Sequence, residues 1–385
     1  MKITGIIVEY NPFHNGHIYH LQQARLQTNC DLLIAIMSSS FNQRGEPCII
    51  DKWTRAKLAL EYGVDLIVEL PFNYASQSAD YFAYGALKIL NALHIDTLFY
   101  GSENNDNQNL IEIAKCIYNN EEKYNTYVKD FLNQGNRYPN SCNQALSKLM
   151  NKEVKLPNDL LALSYIKEII KNDYPITPCS LQRTNSFHSL DTDATILSAS
   201  SIRHALKNHQ DVAYSTPMYH ELKENAVFMD AYFDLLQYTI LTNPHLEKIH
   251  LVEEGFEQLL KKHIFTCSSM DELINQLTSK RYTRARVQRT LLSILINNTH
   301  GLYPIDHIRV LGMNEKGQHY LHDIKKTCSL PIITNFSSIK SPLLDFEFQA
   351  TKLYSLLLPI NKRQTFIEKE YKSKPLLYKL PLEKK

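Results

Sequence analysis

The stretch ITGIIVEYNPFHNGHIYHLQQARLQT, residues 3–28, contains a strand, a turn and a helix in immediate succession. Residues 3–10 form an apolar run that predicts a buried β-strand, and residues 17–28 have the apolar spacing of a helix. Between them lies the segment HNGH, in which His14 and His17 flank the turn. A strand that leads directly into a helix is the beginning of a β-α-β unit, so this stretch predicts an α/β fold.

The same alternation of strand and helix continues as far as residue 205, which predicts a Rossmann-like parallel sheet covered by helices. Residues 104–172 interrupt the alternation, and we interpret them as a helical insertion because they are rich in Asn, Lys and Tyr. Strand patterns fade after residue 205, so we predict one domain at 1–205 and a mainly helical domain at 206–385. The predicted strands are 3–10, 31–39, 64–71, 95–102 and 174–183.

The composition is that of an ordinary globular protein with reduced thiols. Hydrophobic residues make up 44% of the chain and charged residues 21%, and no apolar run is long enough to cross a bilayer. The seven cysteines are scattered without a C-x-x-C pair, which is typical of a cytoplasmic protein and argues against a clustered zinc site. The net charge is +2, so a surface that binds nucleic acid has to be local.

The two histidines of the HNGH segment have a chemical and a structural interpretation. In an open parallel sheet, ligands bind beyond the carboxyl ends of the strands, and a helix N-terminus favours phosphate through its unpaired N–H groups. His14 and His17 can donate hydrogen bonds to a phosphoryl group there, and Gly16 leaves room for its approach. The alternative is a simple turn with surface histidines. The preceding strand and the following helix favour phosphate chemistry, with His14 and His17 as the catalytic residues.

Two short motifs together resemble the H-x-G-H nucleotidyltransferase superfamily, which is related to class I aminoacyl-tRNA synthetases. The first is NPFHNGH at 11–17, and the second is LSASSIR at 197–203, which opens a predicted helix. In the second motif Ser200 stands where threonine is common, and Ala199 replaces a serine. The serines at the start of this helix are expected to cap free backbone N–H groups.

Seven longer segments extend over most of the chain: GIIVEYNPFHNGHIYHL (5–21), QRGEP (43–47), GVDLIVELP (63–71), YGSE (100–103), LPNDLLALSYIK (156–167), KRYTRARVQR (280–289) and IRVLGMNEKG (308–317). Together they resemble a narrower family, the bacterial tRNA(Met) cytidine acetate ligases. This resemblance implies that the protein activates acetate with ATP, forming acetyl-adenylate. It then implies transfer of the acetyl group to the wobble cytidine of elongator tRNA(Met), which gives N4-acetylcytidine. ATP can arrive with magnesium, and neither a membrane nor a protein partner is implied.

The resemblance also assigns functions to the two predicted domains. Residues 1–205 are expected to be the nucleotidyltransferase-like ATP-binding domain, with its helical insertion at about 104–172, and residues 206–385 the domain that binds tRNA. The residues expected to bind ATP are Ile7, Val8, Glu9, Tyr10, Asn11, Pro12, Phe13, His14, Asn15, Gly16, His17, Ile18, Tyr19, His20, Gly101, Asn158, Arg183, Thr184, Ser198 and Ser200.

Some of these positions have an alternative interpretation. Gly101 lies at the end of the fourth predicted strand and could be a turn glycine, and Asn158 is suited to cap the helix that follows it. Arg183 ends the fifth predicted strand, where it is either a surface charge or a phosphate contact. Glu9 and Asp51 are carboxylates to consider as metal ligands. No carboxylate cluster has the spacing of a magnesium site, so no metal site is assigned.

The segment SKRYTRARVQRT, residues 279–290, contains five basic side chains and no acidic one. We expect Arg281, Arg284 and Arg289 to share one side of a helix, with Tyr282 near enough to stack on a base. A solvated helix face is the alternative, and the lysines of 369–385 are a second candidate for RNA contact. The expected tRNA-binding residues are Lys280, Arg281, Arg284, Arg286 and Arg289.

Two other functions remain open from the sequence. An adenylyltransferase that acts on a small phosphorylated metabolite would share both motifs but would leave the helical C-terminal part unexplained. A non-catalytic RNA-binding protein with a nucleotide site is the other alternative, and the intact His14 and His17 argue against it. Pyrophosphate exchange into ATP separates the three: it depends on acetate in a ligase, depends on a phosphorylated metabolite in an adenylyltransferase, and is absent from a binding protein.

Overall fold

A computed structural model of the protein describes residues 1–103, 105–136, 138–153, 160–182, 197–253 and 255–379. Within them the strands are β1 (Ile3–Val8), β2 (Leu32–Ser38), β3 (Leu66–Leu70), β4 (Thr97–Ser102), β5 (Thr177–Gln182), β6 (Ile308–Asn314), β7 (Ile332–Ile333) and β8 (Leu376–Tyr378). The helices are α1 (Asn15–Thr28), α2 (Lys52–Glu61), α3 (Phe72–Ala75), α4 (Ala79–Ala92), α5 (Asn107–Asn119), α6 (Glu121–Asn133), α7 (Tyr138–Met150), α8 (Leu160–Lys171), α9 (Ala199–Lys207), α10 (Tyr219–Asn225), α11 (Phe233–Thr242), α12 (Phe256–His263), α13 (Met270–Leu277), α14 (Arg284–Leu295), α15 (Glu315–Ile324), α16 (Pro342–Ser355) and α17 (Ile360–Lys372).

The first five strands form the parallel sheet that the sequence predicts. Their order is β5-β4-β1-β2-β3, and each neighbouring pair is parallel. The chain runs from β1 outward through β2 to β3 and then returns to place β4 on the other side of β1. Such a reversal opens a crevice at the carboxyl ends of β1 and β4, where ligands bind in folds of this kind. The predicted α/β class, with a mainly helical C-terminal part, is confirmed.

The sheet also contains a strand from the C-terminal part that the sequence patterns did not reveal. Strand β6 pairs antiparallel with β3, and β7 and β8 then pair in parallel with β6. All residues of β6 are buried, and the strand covers an edge of β3 that would otherwise expose unpaired backbone groups. The sheet therefore takes strands from both sides of residue 205, and the division into domains at 1–205 and 206–385 stays a prediction.

The two parts of the chain share a hydrophobic core. Helices α11 to α14 and α16 surround an apolar cluster that also contains Phe41 and Phe72 from the N-terminal part. The Phe41 ring lies 5.3 Å from the Phe72 ring and 6.0 Å from the Tyr354 ring, both edge-to-face. Within the insertion, α8 contacts α4 and α5. Each of the seven cysteines is a free thiol. Among the described residues, no helix has both the length and the apolar character needed to cross a lipid bilayer.

Five charged side chains meet in the interior where the two parts of the chain join. All are buried, and they come from α2, β3, β6, α16 and α17: Lys52, Glu69, Arg309, Glu347 and Glu370. Lys52 Nζ lies 2.7 Å from Glu370 Oε1 and 3.5 Å from Glu347 Oε1. Arg309 forms ion pairs with Glu69 and Glu370. Because three carboxylates face two cations, the cluster carries an excess negative charge unless one carboxyl keeps its proton.

Glu347 is the carboxyl that we expect to keep this proton. Burial, together with the nearby Glu69 carboxylate, raises the pKa of Glu347 to about 7. Glu370 is also buried, but Arg309 and Lys52 hold its pKa down at about 2. With Glu347 protonated, two carboxylates face two cations and the cluster is neutral. Such balance matters because an uncompensated buried charge is strongly destabilising.

We expect Glu347→Gln to change how the stability of the protein depends on pH. A carboxyl with a higher pKa in the folded state adds stability that is complete below its unfolded pKa and is lost as the pH rises through the folded pKa. Here that loss spans the range from 4.5 to about 7. Since glutamine imitates the protonated form at every pH, the variant should gain on the order of 3 kcal/mol over wild type at pH 8 and nothing near pH 4.

Urea unfolding of both proteins across this pH range measures the effect. The exposed Glu224→Gln provides the control, because its carboxyl lies outside the cluster. A difference between Glu347→Gln and wild type that does not change with pH would show that Glu347 is ionised in the folded protein.

Candidate functional site

The HNGH segment forms the junction between β1 and α1, at the crevice of the sheet. His14 is the N-cap of α1, and its Nδ1 accepts a hydrogen bond from Gly16 N at 3.0 Å. A reciprocal hydrogen bond comes from His17, whose Nδ1 accepts from His14 N at 3.2 Å. The helix therefore starts at Asn15, two residues earlier than the sequence predicts, since this reciprocal pair of imidazoles replaces the usual serine and glutamate of a capping box.

The cap fixes the tautomer of both imidazoles. A neutral imidazole whose Nδ1 accepts a hydrogen bond carries its proton on Nε2, so His14 and His17 each present an Nε2–H donor. Burial lowers the pKa of His14 to about 4, which keeps this ring neutral at physiological pH. The two ring centres lie 3.9 Å apart. Two neighbouring imidazole donors are thus oriented by the backbone of the turn itself.

The backbone amides at the start of α1 are already bonded, contrary to the sequence-based expectation that they are available to phosphate. Asn15 N donates to Ser215 O at 3.0 Å, Gly16 N donates to His14 Nδ1, and His17 N donates to His14 O at 2.8 Å. The imidazoles of His14 and His17 are the further polar groups at this place, each with its Nδ1 bonded to the backbone of the turn.

The second motif touches the first through an arginine. Ser198 is the N-cap of α9, and its Oγ accepts from Ser201 N at 3.1 Å, which confirms the predicted serine cap. The hydroxyls of Ser198 and Ser200 lie 3.1 Å apart. Later in the same helix, Arg203 donates from its guanidinium to Asn11 O at 2.7 Å, inside the turn that precedes His14. Two motifs that are 180 residues apart in sequence therefore form one site.

A segment that the sequence analysis did not single out supports the turn from outside. Thr216 Oγ1 donates to Phe13 O at 2.6 Å, and Asn15 Nδ2 donates to Tyr214 O at 2.9 Å. Met218 Sδ accepts from Phe13 N at 3.3 Å. These contacts join residues about two hundred positions apart, so no local pattern could have predicted them.

Arg55 donates hydrogen bonds to the backbone at the carboxyl ends of β1 and β2. It lies on α2 with no exposed side-chain area, and its guanidinium donates to the carbonyls of Glu9 at 2.7 Å and Ser38 at 2.9 Å. It also donates to Ser39 O and, at 3.0 Å, to Ile50 O. The carbonyls of Glu9, Ser38 and Ser39 lie where two neighbouring strands end, and that of Ile50 lies just before α2. The sequence signal was an arginine within the otherwise apolar face of WTRAKLAL.

The QRGEP loop, residues 43–47, connects the site to helix α14. Gln43 N donates to Glu9 Oε1 at 2.7 Å, so one carboxylate oxygen of Glu9 anchors this loop. Burial raises the pKa of Glu9, although this hydrogen bond and neighbouring arginines oppose the shift. From α14, Gln288 Nε2 donates to Glu46 Oε1 at 2.7 Å and Arg289 donates to Gln43 O at 3.2 Å. The loop therefore connects α14 to the turn after β1 through hydrogen bonds on both of its sides.

The other predicted ATP-binding residues lie around this junction in different environments. Tyr10 and Phe13 are buried, with 1% and 0% of their surface exposed, and the Tyr10 ring packs edge-on against His17 at 4.9 Å. Both rings pack against the imidazole of His17.

Gly101 is the fifth residue of β4, at the other side of the crevice, and is part of the strand rather than of a turn. Ile7 and Val8 belong to β1, Pro12 to the turn, and Ile18, Tyr19 and His20 to α1. Asn158, Arg183 and Thr184 lie outside the described residues.

The two carboxylates considered as metal ligands have protein partners. Glu9 anchors the QRGEP loop, as described above. Asp51 is the N-cap of α2, where its Oδ1 accepts from Trp53 N at 2.9 Å and Thr54 N at 3.1 Å. Its Oδ2 accepts from Thr54 Oγ1 at 2.6 Å.

The basic segment 279–290 is arranged differently from the prediction. Helix α14 begins at Arg284, so Arg281 precedes the helix and cannot share its face with Arg289. Tyr282 is only 7% exposed because it stacks on Phe256 at 4.6 Å, and the prediction that it stacks on a base is wrong for this structure.

The five basic side chains of the segment also differ in their surroundings. Lys280, Arg281 and Arg284 are exposed, whereas Arg286 and Arg289 are half-buried. Arg284 pairs with Asp271, and Arg286 pairs with Glu253 at 2.8 Å. Part of the positive charge of the segment is therefore compensated within the protein.

The sequence pattern of the HIGH Nucleotidyl Transferase family matches residues 1–370. Among curated relatives, the tRNA(Met) cytidine acetate ligase of Bacillus subtilis is 38% identical, and the alignment covers 98% of each chain. The tRNA(Met) cytidine acetate ligase of Anoxybacillus flavithermus is 39% identical over 98% of this chain and 100% of that protein. The similarity thus extends over both parts of the chain and not over the nucleotide motifs alone.

Solved structures give the same result for the fold. The apo crystal structure of Thermotoga maritima TmcAL superposes with a TM-score of 0.90 at 30% identity, covering 99% of this chain and 100% of that one. A second crystal form of that protein, bound with alpha-thio ATP, superposes with a TM-score of 0.87 over the same shares of the two chains.

Proposed function

This chain belongs to the HIGH nucleotidyl transferase family and, within it, to the tRNA(Met) cytidine acetate ligases, and we therefore propose that it is an ATP-dependent ligase that acetylates tRNA. Its substrates are ATP, acetate and elongator tRNA(Met), and its product is N4-acetylcytidine at the wobble position. Because these substrates are cytoplasmic, we propose that the protein acts in the cytoplasm. The relatives support neither an adenylyltransferase of small metabolites nor a non-catalytic RNA-binding protein.

The pair of imidazole donors at the end of β1 is the observation that carries this proposal. In the first step, a carboxylate oxygen of acetate forms a bond to the α-phosphorus of ATP, and the bond to the departing pyrophosphate breaks. Negative charge shifts onto phosphoryl and leaving-group oxygens during this displacement. His14 and His17 donate to these oxygens from fixed positions, without the repulsion that a carboxylate would bring.

Activation is needed because acetate itself is a poor acylating agent. In the mixed anhydride with AMP, the acetyl group carries a good leaving group. In the second step, the exocyclic N4 of cytidine forms a bond to the acetyl carbon, the bond to AMP breaks, and N4 loses a proton. Acetyl-adenylate hydrolyses readily, so the crevice has to keep water away until the RNA is bound.

We propose that magnesium arrives on the triphosphate of ATP rather than at a separate protein site. Within the described ranges, the one group of carboxylates near enough to share an ion is Glu69, Glu347 and Glu370. Lys52 and Arg309 already compensate these carboxylates from inside the cluster. Magnesium prefers to keep several waters and bind substrate phosphates, which a buried cluster of this kind does not allow.

The other residues predicted to bind ATP are proposed to extend this site. Gly101, across the crevice from the histidines, leaves space for the nucleotide, and Asn158, Arg183, Thr184, Ser198 and Ser200 contribute further contacts to ATP. For the RNA, we propose that the exposed Lys280, Arg281 and Arg284 meet phosphates, since each keeps its ammonium or guanidinium at the surface. Arg286 and Arg289 hold this surface against Glu253 and the QRGEP loop.

Exchange of labelled pyrophosphate into ATP tests the proposed first step without RNA. We expect exchange in the presence of acetate and none when acetate is omitted, because the reverse reaction requires acetyl-adenylate. Exchange that depends on a phosphorylated metabolite instead would assign the protein to the adenylyltransferases. Addition of tRNA(Met) and detection of N4-acetylcytidine by mass spectrometry then tests the second step.

A further inference from the structure

An open groove lies between the start of α2, the end of α10 and one side of α17. Its volume is about 290 Å³, and Leu358 and Phe366 supply its apolar wall. Lys362 and Lys369 line it from α17, two helical turns apart, together with the polar side chains of Asn361 and Thr365. Pockets that enclose a whole small ligand usually have about 300–1,000 Å³, so this groove suits one portion of a larger molecule.

The two lysines give the groove a positive charge that Asp51, the carboxylate at the groove, offsets only in part. Within the described residues, neither Lys362 nor Lys369 forms an ion pair. Lys362 Nζ donates to Asn225 Oδ1 at 2.6 Å, and the Lys369 ammonium lies 5.7 Å from the centre of the Trp53 ring. The carboxylate at the groove is Asp51, and its oxygens are occupied by the three donors of the α2 cap.

The groove adjoins the nucleotide site through two short pieces of chain. Ile49 N donates to Asn11 Oδ1 at 2.7 Å, and Val227 N donates to Ile49 O at 3.0 Å. Asp51 follows Ile49 by two residues, and Asn225 precedes Val227 by two residues, so each lies within about 7 Å of chain from this bonded pair. Asn11 in turn bonds Arg203 and lies three residues before His14. The groove is thus tied to the turn that carries the catalytic histidines through the buried residues Ile49 and Asn11.

We propose that this groove holds the sugar-phosphate backbone of the RNA substrate next to the nucleotide that is acetylated. Lysine ammonium groups bind phosphate oxygens, and amide and hydroxyl side chains such as Asn361 and Thr365 bind phosphates and ribose 2′-hydroxyls. A base can reach the acetyl group only if the flanking backbone is held close to the histidine turn, and the groove is adjacent to it. The inference rests on the proposed function for the identity of the RNA.

The groove differs from the 279–290 segment in the partners of its basic side chains, which are carboxylates in the segment and a neutral amide at Lys362 in the groove. Arg284 and Arg286 face Asp271 and Glu253, so an RNA phosphate has to compete with a carboxylate for each guanidinium. Lys362 shares its ammonium with the amide oxygen of Asn225, which is neutral, and a phosphate can bind without displacing a carboxylate. We therefore expect the groove to carry a large share of the salt-dependent affinity for RNA.

The test compares two double variants that each remove two positive charges. Lys362→Gln with Lys369→Gln changes the groove. Lys2→Gln with Lys316→Gln is the matched control, because both lysines are exposed at the amino edge of the sheet. Lys2 precedes β1, and Lys316 follows Asn314, whose N donates to Asp65 O just before β3. Affinity for an unmodified tRNA(Met) transcript is measured by filter binding at several salt concentrations, and acetate-dependent pyrophosphate exchange is measured alongside.

We expect the groove variant to bind tRNA roughly tenfold more weakly at low salt, with a log–log salt slope shallower by about 1.5 to 2, because two phosphate contacts are lost. The control should stay within about twofold of wild type, and exchange should persist in both.

Equal affinities and slopes for the two variants would overturn the proposal. Loss of exchange together with a lower melting temperature in the groove variant would also overturn it, by giving the lysines a structural role. Wild type that binds tRNA but shows no acetate-dependent exchange refutes the ligase function and leaves the groove comparison valid.

Discussion

His14→Asn is expected to lower the rate of acetate-dependent pyrophosphate exchange roughly a hundred- to thousandfold while the helix and the fold survive. Asparagine is an excellent N-cap, and its side-chain oxygen can accept from Gly16 N as the imidazole Nδ1 does. It does not reproduce the Nε2–H donor at the position of the imidazole edge. The substitution therefore separates the catalytic role of His14 from its capping role, which His14→Ala removes together.

The same experiment at position 17 tests the second donor. His17→Asn should lose exchange by a similar factor, since the asparagine oxygen can accept from His14 N as Nδ1 does, whereas asparagine lacks the imidazole Nε2–H. His322→Ala is the control, because that histidine lies on α15 with 88% of its side chain exposed. Circular dichroism and thermal melting monitor the fold. Exchange close to wild type in both asparagine variants would refute the role of the imidazoles and leave them as capping residues.

The pKa of His14 adds a pH criterion to this prediction. Burial lowers that pKa to about 4, so the ring is neutral throughout the physiological range and its titration does not occur there. The group that donates to phosphate is thus a neutral imidazole, not an imidazolium. We expect His14→Asn to reduce exchange by the same factor at pH 6.5 and at pH 8.5. A deficit that shrinks steeply as the pH rises would indicate instead that wild type uses a protonated His14.

Arg55→Met is expected to destabilise the protein by more than about 4 kcal/mol, the largest stability effect that we predict for a single side chain. The guanidinium donates to four carbonyls, at Glu9, Ser38, Ser39 and Ile50, and all of its surface is buried. Each buried carbonyl left without a donor costs about 1–3 kcal/mol. Methionine fills a similar volume, so a cavity contributes little to the loss.

Two further variants make this prediction sharp. Arg55→Lys keeps the positive charge but has one ammonium in place of the planar fork, and we expect it to lose about half as much stability. Lys57→Met, two residues further along α2 and exposed, is the control for the change in composition. The free energy of unfolding from urea titration measures all three. A loss below about 1 kcal/mol for Arg55→Met would mean that water replaces the guanidinium at these carbonyls.

The order of the elements could be predicted from the sequence because it depends on local patterns. The apolar run before HNGH gives β1, and the helical spacing after it gives α1, whose start is displaced by two residues. Strand β6 was missed for the opposite reason. Its burial follows from pairing with β3, more than two hundred residues earlier, and the strand that follows it in sequence, β7, has only two residues. An isolated apolar run of this length does not distinguish a strand from a buried helical turn.

The sequence by itself determined the chemistry of the site: two imidazoles at a strand–helix junction, a serine-rich helix start, and an arginine five residues after that cap. Tertiary structure decided what each group is able to do. It bonds the amides of Asn15 and Gly16 within the protein, and it joins the two motifs through Arg203 and Asn11. It also gives Arg289 a protein partner, the Gln43 carbonyl of the QRGEP loop, while its contact with RNA stays a prediction. The physical reason is that side-chain type is local, whereas the partner that occupies a donor or acceptor comes from a distant part of the chain and appears only when the chain is folded.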